Sequence, residues 1–214
     1  MPDGVGERSD FLRAFLRSHK PLASTINFFR SIEWSRKILE NNNYEAIPFF
    51  SRHLHEQTGE NRFFARTVNT PTTIPHVLAL RARRLITPPS ATPSLAKNET
   101  PEALCLISLG KDLEAHPSIV HGGFQCVIFD EVMRLVVLLH QDNIAEPGPR
   151  DVHFTVSMTT SYHAPVNAPS NVLVRSWLVK REGRKWFAGA DLVDCDGRVL
   201  TRAESVWVTR RSKE

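Results

Sequence analysis

The chain carries only three cysteines in 214 residues, Cys105, Cys126 and Cys195, none of them close to another. An odd, dispersed set argues against a disulfide framework, and a reducing compartment is the natural expectation. Long apolar runs are also missing. The best membrane candidate, Ile119 to His140, is interrupted by Asp130, Glu131 and Arg134, each costing roughly 2.5–3.5 kcal/mol at a bilayer centre. No transmembrane segment is expected. The first thirty residues lack the continuous apolar stretch of a secretory signal. Arg8, Arg13, Arg17 and Arg30 lie among apolar residues there, as in mitochondrial presequences, but Asp3, Glu7 and Asp10 oppose that reading because such peptides are acid-poor. The expected location is cytoplasmic, with a mitochondrial one as the alternative.

Several chemical signatures are missing as well. Gly-x-Ser-x-Gly is absent, so no serine nucleophile elbow is indicated. Gly-x-Gly-x-x-Gly is absent, so no dinucleotide site is indicated. His53 and His55 stand two apart with no cysteine or carboxylate cluster to complete a metal site. The net charge of +4 comes from 27 basic residues against 23 acidic ones, with no basic tract. That gives a mildly basic surface and no reason to expect nucleic acid as a partner.

What the chain does have is an ordinary globular composition, 41% hydrophobic and 23% charged, enough for a sizeable core. Residues 1–60 read as a helical N-terminal extension. Phe11, Leu12, Phe15 and Leu16 recur at helical spacing, and Ile32, Ile38 and Leu39 repeat the pattern before three asparagines stop it. The extension should pack on a main domain; a partner-binding arm is the alternative. Alternation predicts strands over 62–70 and 76–85, a flexible connection over 87–102, and a buried strand over 103–110. Beyond a Pro/Gly-rich turn at 143–151, strands are predicted over 152–164, 171–181, 185–194 and 198–210. Asp196-Gly197 is a strong hairpin-turn pair. The order implies an α+β domain, an antiparallel sheet of about six strands wrapped around one long central helix. A covered helix explains apolarity on nearly all sides.

That helix opens with HGGFQCVIFDE, residues 121–131. Gly122 and Gly123 allow close approach to the backbone. The first N–H groups of a helix are unpaired and sit at the positive end of its dipole. They could hold a developing oxyanion. Asp130 lies seven residues after Gly123, about two turns or roughly 10 Å on. It could activate water or attack a thioester carbonyl resting on the glycines. A structural reading stands beside this one. Asp130 and Arg134 could be a simple i,i+4 ion pair, and the two glycines a tight turn.

The HGG…D stretch resembles the hotdog-fold acyl-CoA thioesterases, specifically the phenylacetyl-CoA-type (PaaI-like) branch of the 4-hydroxybenzoyl-CoA thioesterase superfamily. TVSMTTSYHAPV at 155–166 is similar to that family's strand ending in Tyr-x-x-Pro, and residues 181–208 resemble its closing strand pair. The resemblance covers roughly 60–210 and implies a hotdog thioesterase domain over 61–210. It implies hydrolysis of an acyl-CoA with no metal or redox cofactor. Asp130 would be general base or nucleophile. A Gly122 or Gly123 N–H would hold the carbonyl, and His121 would shape the loop. Thr155 would position water or substrate. Phe124 and Tyr162 would contact substrate, and Lys180, Arg181, Arg184 and Lys185 the CoA phosphates, an ordinary solvated hairpin being the alternative for these four. The family's dimers join their sheets, so a homodimer is expected, with a tetramer open, and Thr155 would act across the interface from Asp130. One departure is Ala115, where some members carry a water-holding asparagine. Other hotdog thioester chemistry remains as a rival: enoyl-CoA hydration or dehydration, or release from an acyl carrier. A second rival is a non-catalytic acyl-CoA or lipid-binding protein.

Overall fold

The computed structural model describes residues 11–85, 101–144 and 152–210. Three short helices open it: α1 (Phe11–Ser18), α2 (Ala23–Arg30) and α3 (Glu33–Leu39). Strands β1 (Tyr44–Ile47), β2 (Val77–Ala82) and β3 (Ala103–Leu109) follow, then the small hairpin β4 (Glu114–His116) and β5 (Ile119–Val120). The long helix α4 spans Gly122–Ile144. The chain then runs through β6 (His153–Tyr162), β7 (Ser170–Glu182), β8 (Lys185–Val193) and β9 (Val199–Thr209). Seven strands form one antiparallel sheet in the order β1-β2-β3-β7-β8-β9-β6.

The helix α4 lies on one face of this sheet. Ile128, Phe129, Val132, Met133, Leu135, Val136 and Val137 are fully buried in the cluster it shares with Ala103, Cys105, Ile107, Val174, Ala188, Ala190 and Leu192. The opposite face carries a second cluster, where Leu78, Leu80, Leu104, Leu106, Leu173 and Val193 meet Phe29 of α2. Ile32, Trp34 and Ile38 pack against it from the α2–α3 region. Strands β2 and β3 are therefore apolar on both faces, which is why residues 103–109 read as a continuous hydrophobic run. A long helix cradled by an antiparallel sheet is the hotdog fold.

Two segments differ from expectation. Residues 62–70 form a helical turn at Phe63–Thr67 and no strand. Phe64, Ala65 and Val68 are its buried side while Phe63 is exposed, a spacing of three to four that fits a turn better than alternation. The N-terminal region also supplies β1, which extends the sheet beside β2. With β1 the sheet has seven strands where about six were expected. The connection expected at 87–102 and the turn at 143–151 lie largely outside the described residues. No helix among the described residues is long and apolar enough to cross a membrane.

Candidate active site

Three residues at helical spacing define one face of α4: Gly122, Cys126 and Asp130. Each step of four residues advances about 6 Å and returns to nearly the same side. Strand β6 runs along that face. The Tyr162 hydroxyl donates to the Gly122 carbonyl at 3.0 Å. Cys126 Sγ lies 3.4 Å from that hydroxyl and 3.5 Å from Thr160 Oγ1. The Thr155 hydroxyl donates to Asp130 Oδ1 at 2.7 Å.

A β-bulge makes this alignment possible. Thr155 pairs with Trp207, but Ser157 pairs with Val206, so one extra residue is inserted at Val156. In an unbroken strand Thr155 and Tyr162, seven apart, would point to opposite faces. The bulge re-aims the strand so that both reach α4, while Phe154 and Val156 stay exposed. Thr155 thus meets Asp130 of its own chain.

Burial pushes the Asp130 carboxyl above the usual aspartate range. The Thr155 hydrogen bond and the Arg134 charge pull against this and offset it only in part. Arg134 does not close on Asp130 as a helix ion pair. Its Nη2 lies 2.9 Å from Glu60 Oε1, and its guanidinium carbon 4.9 Å from the centre of the Phe50 ring. Glu131 turns the other way and accepts from Ser51 Oγ at 2.5 Å; burial raises its pKa too.

At the start of α4, His121 Nδ1 accepts the Gly123 N–H at 2.9 Å and so caps the helix. Among the described residues no group takes the Gly122 N–H. Both glycines are closely approached by ring side chains. A Cβ on Gly122 would sit 3.3 Å from the Tyr162 hydroxyl, and one on Gly123 would sit 3.1 Å from the His121 ring. Gln125, buried, ties this end down by donating to the Val120 carbonyl at 3.4 Å and accepting from Thr201 at 2.6 Å. The Tyr162 phenol is pushed up to about 12 by its contact with Cys126 and by burial.

Phe124 packs against the core at the first turn of α4. The four basic residues stand around the β7–β8 turn. Lys180 lies 2.6 Å from Glu182 and over the Phe187 ring, Arg181 donates to the Gly183 carbonyl, and Arg184 donates to the Thr209 carbonyl at 3.0 Å. Lys185 pairs with Val208, which pairs with Phe154 beside Thr155. The turn is thus two strand spacings, about 10 Å, from the carboxylate's partner strand. Among the described residues no three His, Cys, Asp or Glu side chains converge as metal ligands. Sequence reasoning missed Cys126, Gln125 and Glu60. Cys126 was findable, since it stands four residues from both Gly122 and Asp130; Glu60 left no local signal.

The fold and this helix–strand site define a hotdog protein with a carboxylate on its central helix. Residues 118–201, from β5 into β9, match the family model of the thioesterase superfamily. The chain is 26% identical over 150 residues to "Uncharacterized mitochondrial membrane protein FMP10" of Saccharomyces cerevisiae. That alignment takes in 69% of this chain and spans only 53% of the yeast protein. It is 24% identical over 206 residues to "Verlamelin biosynthesis protein B" of Lecanicillium sp, covering 86% of this chain and 87% of the other. Among solved structures, a thioesterase superfamily protein superposes with a TM-score of 0.46 at 18% identity, covering 94% of this chain and 86% of the other.

Proposed function

We propose that the protein hydrolyses an acyl-CoA thioester to the free acid and CoA, in the manner of the HGG-motif, PaaI-like hotdog enzymes. The observation that carries this is the Asp130 carboxylate, held by the Thr155 hydroxyl at 2.7 Å and half-buried on the same helix face as Gly122. The Gly122 N–H, at the positive end of α4, receives the thioester oxygen as it gains charge. Asp130 takes a proton from water as that water's oxygen attacks the carbonyl carbon. The tetrahedral adduct then expels CoA as the thiolate. A carboxylate whose pKa is raised above the usual aspartate range is a better base than an ordinary aspartate. Direct attack by Asp130 is the variant route, and a single turnover in isotope-labelled water separates the two by placing label in the protein. His121 holds the loop, and Phe124 and Tyr162 border the acyl channel. The Lys180–Lys185 turn faces the CoA phosphates. The reaction as written requires no metal or redox cofactor.

The partner is a second copy of the chain. β6 is an edge strand of ten residues with Phe154, Val156 and Tyr162 exposed, and such an edge invites pairing with another strand. Two copies joined edge to edge would bring both Asp130–Thr155 pairs beside the interface. The name of the yeast relative supports the mitochondrial alternative for location over the cytoplasmic one. The deciding experiment offers purified protein a panel of acyl-CoAs with a free-thiol readout. Thiol release on at least one chain length is expected. Retained CoA-ester binding with no release across the panel would show a binding protein and sink the hydrolase reading.

A further inference from the structure

We propose that Glu60 is a positioning residue for the reacting carboxylate: it holds Arg134 away from Asp130, leaving the carboxylate open to a proton it would otherwise shield. This rests on the reading of Asp130 as the reacting group. Arg134 is four residues after Asp130, the spacing at which helical side chains of opposite charge meet. Left to itself it would close the pair. It is drawn instead to the loop before the 63–67 turn, where Glu60 takes its Nη2 at 2.9 Å, with the two side chains only 18% and 33% exposed. Phe50 lies under the guanidinium at 4.9 Å and fixes its plane.

That loop is built to hold its carboxylate still. Gly59 and Asn61 on either side of Glu60 both take left-handed conformations, with φ of 74° and 64°. The Asn61 side chain donates to the carbonyls of Phe50 and His53 at 3.2 and 3.0 Å. His55 and Glu60 bridge through their backbones, the His55 N–H reaching the Glu60 carbonyl at 3.1 Å. The N-terminal region thereby reaches the catalytic helix at two neighbouring carboxylates. Ser51 occupies Glu131, and Glu60 occupies the arginine that would occupy Asp130.

Among the described residues, the following groups face this pair. On α4, Arg134 is the charge that lowers Asp130, while Glu131 feels Arg134, Asp130 and Glu60 together. β6 presents Thr155, a hydroxyl, and Tyr162, whose phenol is turned to Gly122 and Cys126. α1 turns Leu12 and Phe15 inward and keeps Arg13 and Arg17 exposed. The buried Glu102–His140 pair lies ten residues further along α4, about 15 Å away.

The test is an NMR titration of the Asp130 carboxyl carbon in the full chain, as wild type, Glu60→Gln, Arg134→Gln and the double variant. Releasing Arg134 with Glu60→Gln brings its charge onto Asp130, so the midpoint moves down. Removing the charge with Arg134→Gln moves it up, and the double variant titrates like Arg134→Gln alone. An unmoved midpoint in Glu60→Gln, or a downward shift that survives the loss of Arg134, overturns the proposal. If Glu60→Gln does not fold, Glu60→Asp, which keeps the charge at shorter reach, must itself move the midpoint down, and that shift must vanish when Arg134→Gln is added. The titration needs no turnover. A shifting midpoint without thiol release sinks the hydrolase reading and leaves only the Glu60 hold on Arg134 standing; thiol release with a flat titration sinks that hold and spares the hydrolase reading. With both intact, the acid limb of kcat/KM in Glu60→Gln follows the midpoint to lower pH, and its plateau falls on the order of tenfold as the base is captured.

Discussion

Asp130→Asn should move activity and stability in opposite directions. The substitution preserves shape, and the asparagine Oδ1 still accepts the Thr155 hydroxyl now at 2.7 Å. Arg134 loses little, because Glu60 already holds it at 2.9 Å. What disappears is the basic group. General base catalysis contributes about 10²–10⁴ in rate, so kcat should fall by that factor, about 2.7–5.4 kcal/mol in the barrier. Stability runs the other way. The Asp130 pKa is raised on folding, chiefly by burial. A raised acid favours the folded state fully only below its unfolded value and loses that contribution as pH rises through the folded value. Above the folded value the charge on Asp130 is therefore a cost that asparagine does not carry. Thermal unfolding should show a higher Tm for Asp130→Asn at pH 7–8. The gap should close as pH falls through the usual aspartate range, near 4. Thiol release against a reactive acyl-CoA and a thermal melt on the same preparations decide the matter. A variant rate within about fivefold of wild type, or a lower Tm at pH 8, would refute the assignment of Asp130 as a strained working base.

Two further outcomes follow from the same geometry. Thr155→Val removes a hydrogen bond that holds the Asp130 pKa down, so the acid limb of kcat/KM should move to higher pH and the plateau should drop on the order of tenfold; a pH–rate profile identical to wild type would show that Thr155 does not touch the base in solution. Val156→Lys puts a charge on the exposed edge of β6, which should convert a dimer to a monomer in light scattering, and a monomeric wild type would remove the basis for the edge-to-edge pairing.

Much of the fold was legible because it is written in periodicity. Residues 103–109 are apolar without a break because both faces of β3 are covered, by α4 on one side and by Phe29 and its neighbours on the other. The four closing strands announced themselves by alternation and by turns at Gly183 and Gly197, both of which take positive φ. The segment at 62–70 did not, since Phe-Phe followed by Val fits either a strand or a turn until its buried side is known. Tyr44–Ile47 was missed because four residues after an asparagine stop carry too short a pattern to identify.

At the site, the division is sharper. Local spacing by itself determined that Gly123 and Asp130 share one face of a helix two turns apart, because seven residues at 3.6 per turn return to nearly the same side. Three matters were decided only in the tertiary structure. A bulge at Val156 reverses the parity of β6 and turns Thr155 onto Asp130, which no count along the strand reveals. The close approach to both glycines comes from the rings of Tyr162 and His121, one of them forty residues away. And Arg134, which local spacing assigns to Asp130, belongs to Glu60, because a charge seventy-four residues away is held in place by a wound loop while the helix offers only proximity.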